Sequence, residues 1–139
     1  MKLALEINRQ RKDGNMEQLV NIFKLLSDES RLRVIVLLSE DKLCVCEISG
    51  ILELPQPKVS KALSKLRDLN LVDDERSDKY VYYELKKDNT SLTGIINDIS
   101  RNLDAYPTLA NDKRRISLKA NFKNQCCSMD TMEMITKLT

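Results

Sequence analysis

Apolar residues recur at helical spacing through the first part of the chain. The first apolar stripe predicts a helix of about three turns, and its positions are Met16, Leu19, Ile22, Phe23 and Leu26. Ser27 or Asp28 can cap a second helix. The inner face of that helix is predicted to be Leu32, Ile35, Val36 and Ser39, with Arg31 and Arg33 turned outward. A short helix that includes the cysteine-containing residues 43–48 and runs through Leu52 is predicted next.

The next helix is predicted to start near Pro57, because proline is tolerated in the first helical turn. Its apolar stripe comprises Val59, Ala62, Leu63, Leu66 and Leu69. Between Gln56 and Arg67 its outer face carries four bases and no acid. This basic face is either a DNA-contacting surface or an ordinary solvated helix surface.

Two strand-like runs, 71–75 and 79–85, follow a left-handed turn expected at Asn70. With Arg76–Asp78 as the turn, they predict a β-hairpin. The order of helices, basic helix and hairpin is that of a winged helix-turn-helix, in which the basic helix enters the DNA major groove. We therefore predict a mainly α fold with a small β-hairpin.

A further apolar stripe predicts a helix that packs across a homodimer interface, and its members are Leu92, Ile95, Ile96, Ile99 and Leu103. Burial within the same domain is the alternative. The predicted organisation is an arm or short helix over 1–15, a DNA-binding and dimerisation domain over 16–106, and a tail over 107–139. That tail carries the adjacent pair Cys126 and Cys127.

The amino-acid composition limits the kinds of catalytic and metal site that the chain can form. The 139 residues include no histidine, which excludes histidine acid–base catalysis, Ser-His-Asp triads and histidine-containing zinc sites. The net charge is only +2, so any nucleic-acid surface must be a local patch. No signal peptide or membrane span is apparent. We expect a cytoplasmic protein with reduced thiols and no membrane partner.

Three segments together resemble the ArsR/SmtB family of metal-sensing winged-helix repressors, and within it the arsenical-responsive branch. They are residues 26–33 (LSDESRLR), 43–48 (LCVCEI) and 56–63 (QPKVSKAL). The resemblance implies a non-enzymatic homodimer that binds double-stranded operator DNA. It also implies As(III) or Sb(III) as the inducer that releases the DNA, with no organic cofactor.

Cys44 and Cys46 are the predicted metalloid ligands, because As(III) prefers soft thiolates. On one helix, side chains two residues apart point about 200° apart, so chelation would require the first turn to unwind. Ser49 stands where the family often has a third cysteine. The third thiolate can come from Cys126, Cys127 or a small thiol. Alternatively, the tail pair forms a site of its own, or it is incidental and Cys44 and Cys46 act alone. A separate alternative is that Cys44 and Cys46 only fill the core.

On the basic helix, Gln56, Ser60, Lys61 and Ser64 are predicted to face base edges. Pro57 opens the helix, and the phosphate contacts are predicted to be Lys58, Lys65, Arg67, Arg76 and Lys79.

Other functions are weighed against this one. A Cd(II)/Pb(II)-responsive or redox-responsive repressor shares the thiols and the fold. A thiol metallochaperone leaves the basic helix and the hairpin unexplained. A thiol enzyme is disfavoured because the chain contains no Cys-x-x-Cys motif and no glycine-rich loop.

Overall fold

The computed structural model describes residues 16–122, and its helices surround a small sheet. Helix α1 covers 16–26, and the helices that follow are α2 (Glu29–Glu40), α3 (Val45–Leu52), α4 (Gln56–Asp68), α5 (Thr90–Arg101) and α6 (Pro107–Arg114). Short 3-10 helices, Leu103–Ala105 and Arg115–Leu118, flank α6. The strands are β1 (Leu43–Cys44), β2 (Val72–Ser77) and β3 (Tyr80–Leu85), in the antiparallel order β1-β3-β2.

Helix α2 is the centre of the core. Asp28 caps it, since its carboxylate accepts a hydrogen bond of 3.0 Å from the Arg31 N–H, as predicted. Residues 34–38 are all buried. Five consecutive buried positions cover every side of a helix, so α2 is surrounded by protein along its middle. The prediction that Arg33 points outward is wrong, because its guanidinium contacts α3 and α6.

Helix α1 is buried on a narrower face than its sequence predicts. Ile22 and Leu25 lie in the core. Met16 and Phe23, expected on the buried stripe, are 61% and 54% exposed, and Val20 is 42% exposed. These three residues recur at intervals of four and three, so they share one helix face. One exposed strip of α1 is therefore apolar, while Glu17, Gln18 and Lys24 are exposed elsewhere on the helix.

The hairpin forms as expected, but its turn lies closer to the C-terminus than the predicted turn at Arg76–Asp78. Asn70 and Asp78 have the positive φ values of 59° and 61° that let the chain reverse. The turn is Asp78–Lys79, and Arg76 belongs to β2. The two-residue strand β1 was not predicted. Its Leu43 and Cys44 pair with Tyr83 and Tyr82, and a strand this short has no periodicity of its own.

Helix α5 uses part of its apolar stripe within the same domain. Asn89 caps the helix by accepting a hydrogen bond from the Leu92 N–H at 3.0 Å. Leu92 and Ile96 are completely buried in the core, so assigning them to a dimer interface is wrong. Ile95, Ile99 and Leu103 are only partly buried there.

Residues 107–122 pack on the domain instead of extending from it. Pro107 begins α6, Leu109 is buried in the core, and Asp112 is buried against Arg33. The 3-10 helix Arg115–Leu118 is followed by helical residues 119–122. The packed domain thus continues past the predicted boundary at residue 106. Predictions for 1–15 and for Cys126 and Cys127 lie outside the described residues.

Between residues 16 and 122, no helix combines the length and the apolar character that crossing a membrane requires.

The packing of α4 on α2 yields a stability prediction. Leu66 is completely buried on the inner face of α4, so Leu66→Ala should remove about 2–5 kcal/mol of unfolding free energy. Lys65→Ala, at an exposed neighbour on the same helix, should change it by no more than about 0.5 kcal/mol. Urea denaturation of both variants measures the difference. Equal effects would contradict the burial of this face.

Candidate thiol site and basic helix

Cys44 and Cys46 lie where β1 passes into α3. Cys44 is the N-cap of α3, and its backbone is extended, with φ −93° and ψ 168°. Only Cys46 is inside the helix. The premise that both cysteines lie on one helix is therefore wrong, because Cys44 lies just outside the first turn of α3. Both cysteines are buried, at 2% and 5% exposure, and they form one cluster against Tyr80 and Tyr82.

The position of Cys44 is determined by its backbone. Its N–H donates to the Glu47 carboxylate at 3.0 Å, which gives α3 a capping interaction at its first turn. The pairing of Cys44 with Tyr82 also ties it to β3. The first cysteine is thus attached both to α3 and to the hairpin.

The environment of Cys44 keeps its thiol protonated. Burial raises the pKa of Cys44 to about 11, because a low-dielectric surrounding disfavours the charged thiolate. At neutral pH the protein therefore presents a neutral thiol at this position.

Cys46 is in direct contact with the basic helix. The side-chain Nε2 of Gln56 donates a hydrogen bond to the Cys46 Sγ at 3.3 Å. Gln56 is the first residue of α4 and is only partly exposed. The sequence predicts that Gln56 reads bases, but here its amide points toward the thiol site. Gln56 therefore links the two regions.

The rest of α4 divides into the two predicted faces. The apolar stripe is buried at Val59, Ala62, Leu63 and Leu66. The exposed residues of the other face are Pro57, Lys58, Ser60, Lys61, Ser64, Lys65 and Arg67. On the hairpin, Arg76 and Lys79 are exposed as well. The predicted DNA-facing set, apart from Gln56, is thus available to solvent.

A groove borders the exposed face of α4, and residues of α2 that were not predicted to face DNA form its other side. Ser30 and Arg31 of α2 line it together with Lys58, Lys61 and Lys65 of α4. Arg31 lies three residues after the cap of α2, and its only sequence signal is a base near the start of a helix. Packing of α2 against α4 places Arg31 beside these lysines, and the acids Asp28 and Asp68 line the same groove.

Acidic residues limit this positive surface on the hairpin side. Asp73, Asp74 and Glu75 of β2 are exposed. Asp74 approaches Arg67 to 3.7 Å, and Glu75 pairs with Lys42 at 2.9 Å. The hairpin is therefore basic only near its tip, at Arg76 and Lys79.

Within residues 16–122, no cluster of three or more cysteine, histidine or carboxylate side chains could hold a metal ion. Cys44 and Cys46 are the cysteines within that range, and Cys126 and Cys127 lie outside it.

Comparison with known proteins gives matches to bacterial regulators. A protein-family model described as "Bacterial regulatory protein, arsR family" matches residues 28–74. The arsenic resistance transcriptional regulator ArsR1 of Pseudomonas putida is 41% identical over 76 residues, covering 52% of this chain and 59% of that protein. The cadmium resistance regulatory protein CadC of Listeria innocua is 43% identical, covering 46% and 55%. The chain thus spans little more than half the length of these relatives.

Another relative is matched over more of its length. The arsenical resistance operon repressor of Staphylococcus aureus is 33% identical over 92 residues, covering 66% of this chain and 83% of that protein. Among solved structures, reduced HlyU from Vibrio cholerae has a TM-score of 0.59 at 30% identity, covering 66% and 95%.

A second solved structure identifies the architecture. Mb0332 from Mycobacterium bovis, described as a homodimeric winged helix-turn-helix DNA-binding domain, has a TM-score of 0.56 at 21% identity, covering 69% and 87%. At this identity the likeness shows the fold alone. The predicted winged helix-turn-helix fold is confirmed.

The buried thiol makes stability depend on pH. An exposed cysteine has a pKa of about 8.5, whereas the pKa of Cys44 in the folded protein is about 11. Below about pH 8.5 both states hold the proton, so the contribution of Cys44 is fully present. Between about pH 8.5 and about 11 only the unfolded thiol ionises, so stability falls as pH rises, by up to about 1.4 kcal/mol per unit.

Urea denaturation under reducing conditions can isolate this contribution. Wild type should lose more stability than Cys44→Ala across that pH window, and the two should run parallel below it. Parallel curves at all pH values would mean that Cys44 ionises equally in both states.

Proposed function

The chain belongs to the arsR family of bacterial regulatory proteins, and we propose that it is a dimeric transcriptional repressor whose operator is released when a metalloid binds its cysteine thiols. In this proposal α4 enters the major groove, and the hairpin approaches the DNA backbone. The inducer is As(III) or Sb(III), and the protein acts in the cytoplasm, where bacterial DNA lies.

The main support for the proposal is the hydrogen bond of 3.3 Å from Gln56 Nε2 to Cys46 Sγ. It joins a candidate ligand atom to the first residue of the DNA-facing helix. Cys44 is joined to the hairpin in turn through its pairing with Tyr82. A ligand that draws the two sulfur atoms together disturbs both DNA-facing elements at once.

The protonated state of Cys44 favours arsenous acid over a divalent cation. When a thiol replaces a hydroxyl of As(OH)3, the thiol proton leaves with that hydroxyl as water. Three thiols thus yield As(SR)3 and three waters, with no net release of protons. A divalent cation such as Cd(II) instead requires each thiol to lose its proton to solvent. The pKa of about 11 at Cys44 penalises only the second reaction.

The tail is the proposed source of the third thiolate. Phe122 lies against Gly50, which is four residues after Cys46 on α3. Cys126 and Cys127 follow Phe122 by four and five residues. Four residues of extended chain span up to about 14 Å, whereas four residues of helix rise only about 6 Å. Either tail cysteine can therefore reach the pair, and a small thiol is the competing source.

On DNA, we assign Ser60, Lys61 and Ser64 to base edges. The proposed phosphate contacts are Lys58, Lys65, Arg67, Arg76 and Lys79, together with Arg31. Pro57 lies in the first turn of α4, next to the proposed groove contact. Gln56 reaches a base only by giving up its contact with Cys46.

The homodimer interface is proposed to use α1 together with α5. Met16, Val20 and Phe23 form an exposed apolar face on α1. On α5 and just after it, Ile95, Ile99 and Leu103 remain partly exposed. Burying these residues removes apolar surface from water, which is the main favourable term in association.

Release of DNA by metalloid tests the function. Under reducing conditions, arsenite should release a labelled duplex that the wild-type protein has selected from a random pool. Cys44→Ser and Cys46→Ser should abolish release while binding is kept, because each removes a ligand. Cys126→Ser/Cys127→Ser should weaken release strongly if the tail supplies the third thiolate, and not at all if a small thiol does. Release by peroxide or Cd(II) but not by arsenite would contradict the proposal.

The balance of protons gives a second, independent prediction. Arsenite affinity should change little between about pH 6 and about pH 8, because binding releases no protons. Cd(II) affinity should rise steeply with pH over that range, since thiol protons are lost to solvent. Isothermal titration at several pH values measures both. A steep rise for arsenite would contradict the neutral-thiol reaction.

A further inference from the structure

Residues 107–122, here called the C-terminal arm, contact α2 and α3 beside the helix-turn-helix. We propose that this arm positions α3, and through it α4, for operator binding, with Arg33, Asp112 and Arg115 as the positioning residues. The inference rests on the proposed repressor function, and none of these three residues belongs to the proposed DNA-facing set.

The arm acts on the carboxyl end of α3. The last carbonyl groups of a helix have no partner within it. Arg115 donates from Nε to the Ile51 carbonyl at 2.7 Å and from Nη2 to the Gly50 carbonyl at 3.0 Å. Arg33 donates from Nη2 to the Leu52 carbonyl at 2.9 Å. Three consecutive carbonyl groups are thus bound by two guanidinium groups, whose charge also suits the negative end of a helix.

Asp112 orients one of these arginines. Its carboxylate accepts hydrogen bonds from Arg33 Nε at 2.9 Å and from Arg33 Nη2 at 2.8 Å. The two side chains are 4% and 16% exposed. A bidentate pair of this kind restricts the plane of the guanidinium. The arm therefore determines where Arg33 presents its N–H groups to α3.

Two more contacts fasten the arm. Lys119 pairs with Asp41, just after α2, at 2.6 Å. Phe122 packs so closely on Gly50 that a Cβ built at that position would overlap its ring and its Cβ. The Arg115 guanidinium lies 5.9 Å from the centre of the same ring. The arm is thus held to α2 and α3 at several points along its length.

The hold on α3 passes to α4 through a short connection. Only Glu53, Leu54 and Pro55 separate the two helices. Glu53 has a left-handed backbone, and Ser49 Oγ donates to the Leu54 carbonyl at 2.5 Å. A three-residue link with these constraints leaves little freedom, so the end of α3 determines where α4 begins.

Arg115→Ala tests the proposal. It should weaken binding to the duplex selected by the wild-type protein by about tenfold, a typical coupling between sites. Binding to unselected DNA, which depends on the phosphate contacts, should be unchanged. Arg114→Ala is the matched control, because Arg114 is exposed and its side chain has no hydrogen bond or ion pair within residues 16–122. It should bind both duplexes as the wild type does.

Gly50→Ala tests the same arm without removing a charge. The new methyl group should displace Phe122, although alanine is a better helix former than glycine. Weaker selected-duplex binding would therefore not reflect a loss of helix propensity. Amide exchange at Glu53 and Leu54 should become faster. Adding Phe122→Ala to Gly50→Ala removes the overlap and should restore part of the affinity.

The outcomes separate the two hypotheses. A wild-type protein that selects no duplex overturns the repressor proposal itself. A wild type that selects a duplex, with Arg115→Ala and Gly50→Ala binding it as tightly as Arg114→Ala does, overturns the positioning role alone. An equal loss on selected and unselected DNA also overturns it, because that pattern indicates general unfolding.

Discussion

An eight-residue helix has too few internal hydrogen bonds to be stable alone, and α3 is such a helix. Its geometry therefore depends on what holds its two ends. At the start, the Cys44 N–H bonds to Glu47 while β1 pairs with β3. At the other end, Arg33 and Arg115 bind the last carbonyl groups. The candidate thiol site and the start of α4 both lie next to this helix.

This arrangement places the two cysteines beside the start of α4 and beside the hairpin, which are the elements proposed to face DNA. Cys44 is extended, so both cysteines share one buried cluster although only Cys46 is helical. Burial raises the pKa of Cys44 to about 11. In the proposed function, this disfavours cations that displace a proton into solvent and leaves condensation with a hydroxylated metalloid unaffected. Gln56 connects that cluster to α4. The contact between Cys46 and Gln56 thus links the thiol site directly to the start of the basic helix.

The distribution of charge explains how a chain with a net charge of +2 can present a nucleic-acid surface. Bases lie on the outer face of α4 and at Arg31, while the acids of β2 are confined to the hairpin. A local patch of this kind attracts phosphate without making the whole protein basic. The exposed apolar face of α1 lies on another helix, so the proposed dimer contact and the proposed DNA contact use different surfaces.

Short-range patterns in the sequence were enough to predict several local structural features of this protein. Helical periodicity identified the buried stripe of α4, Asp28 was a recognisable cap, and Asn70 predicted a left-handed turn. The cysteine pair and the basic face were visible for the same reason, because each lies within a few consecutive residues. These features depend on neighbours in the chain, which a sequence displays directly.

Only the tertiary structure decided the rest. Arg33 looked like a surface residue because its partner Asp112 is 79 residues away. Leu92 and Ile96 have the same periodicity whether they pack on their own core or on a second subunit. Cys44 is extended because β1 pairs with β3, and two residues carry no strand pattern. In each case the deciding contact joins distant parts of the chain, which local periodicity cannot specify.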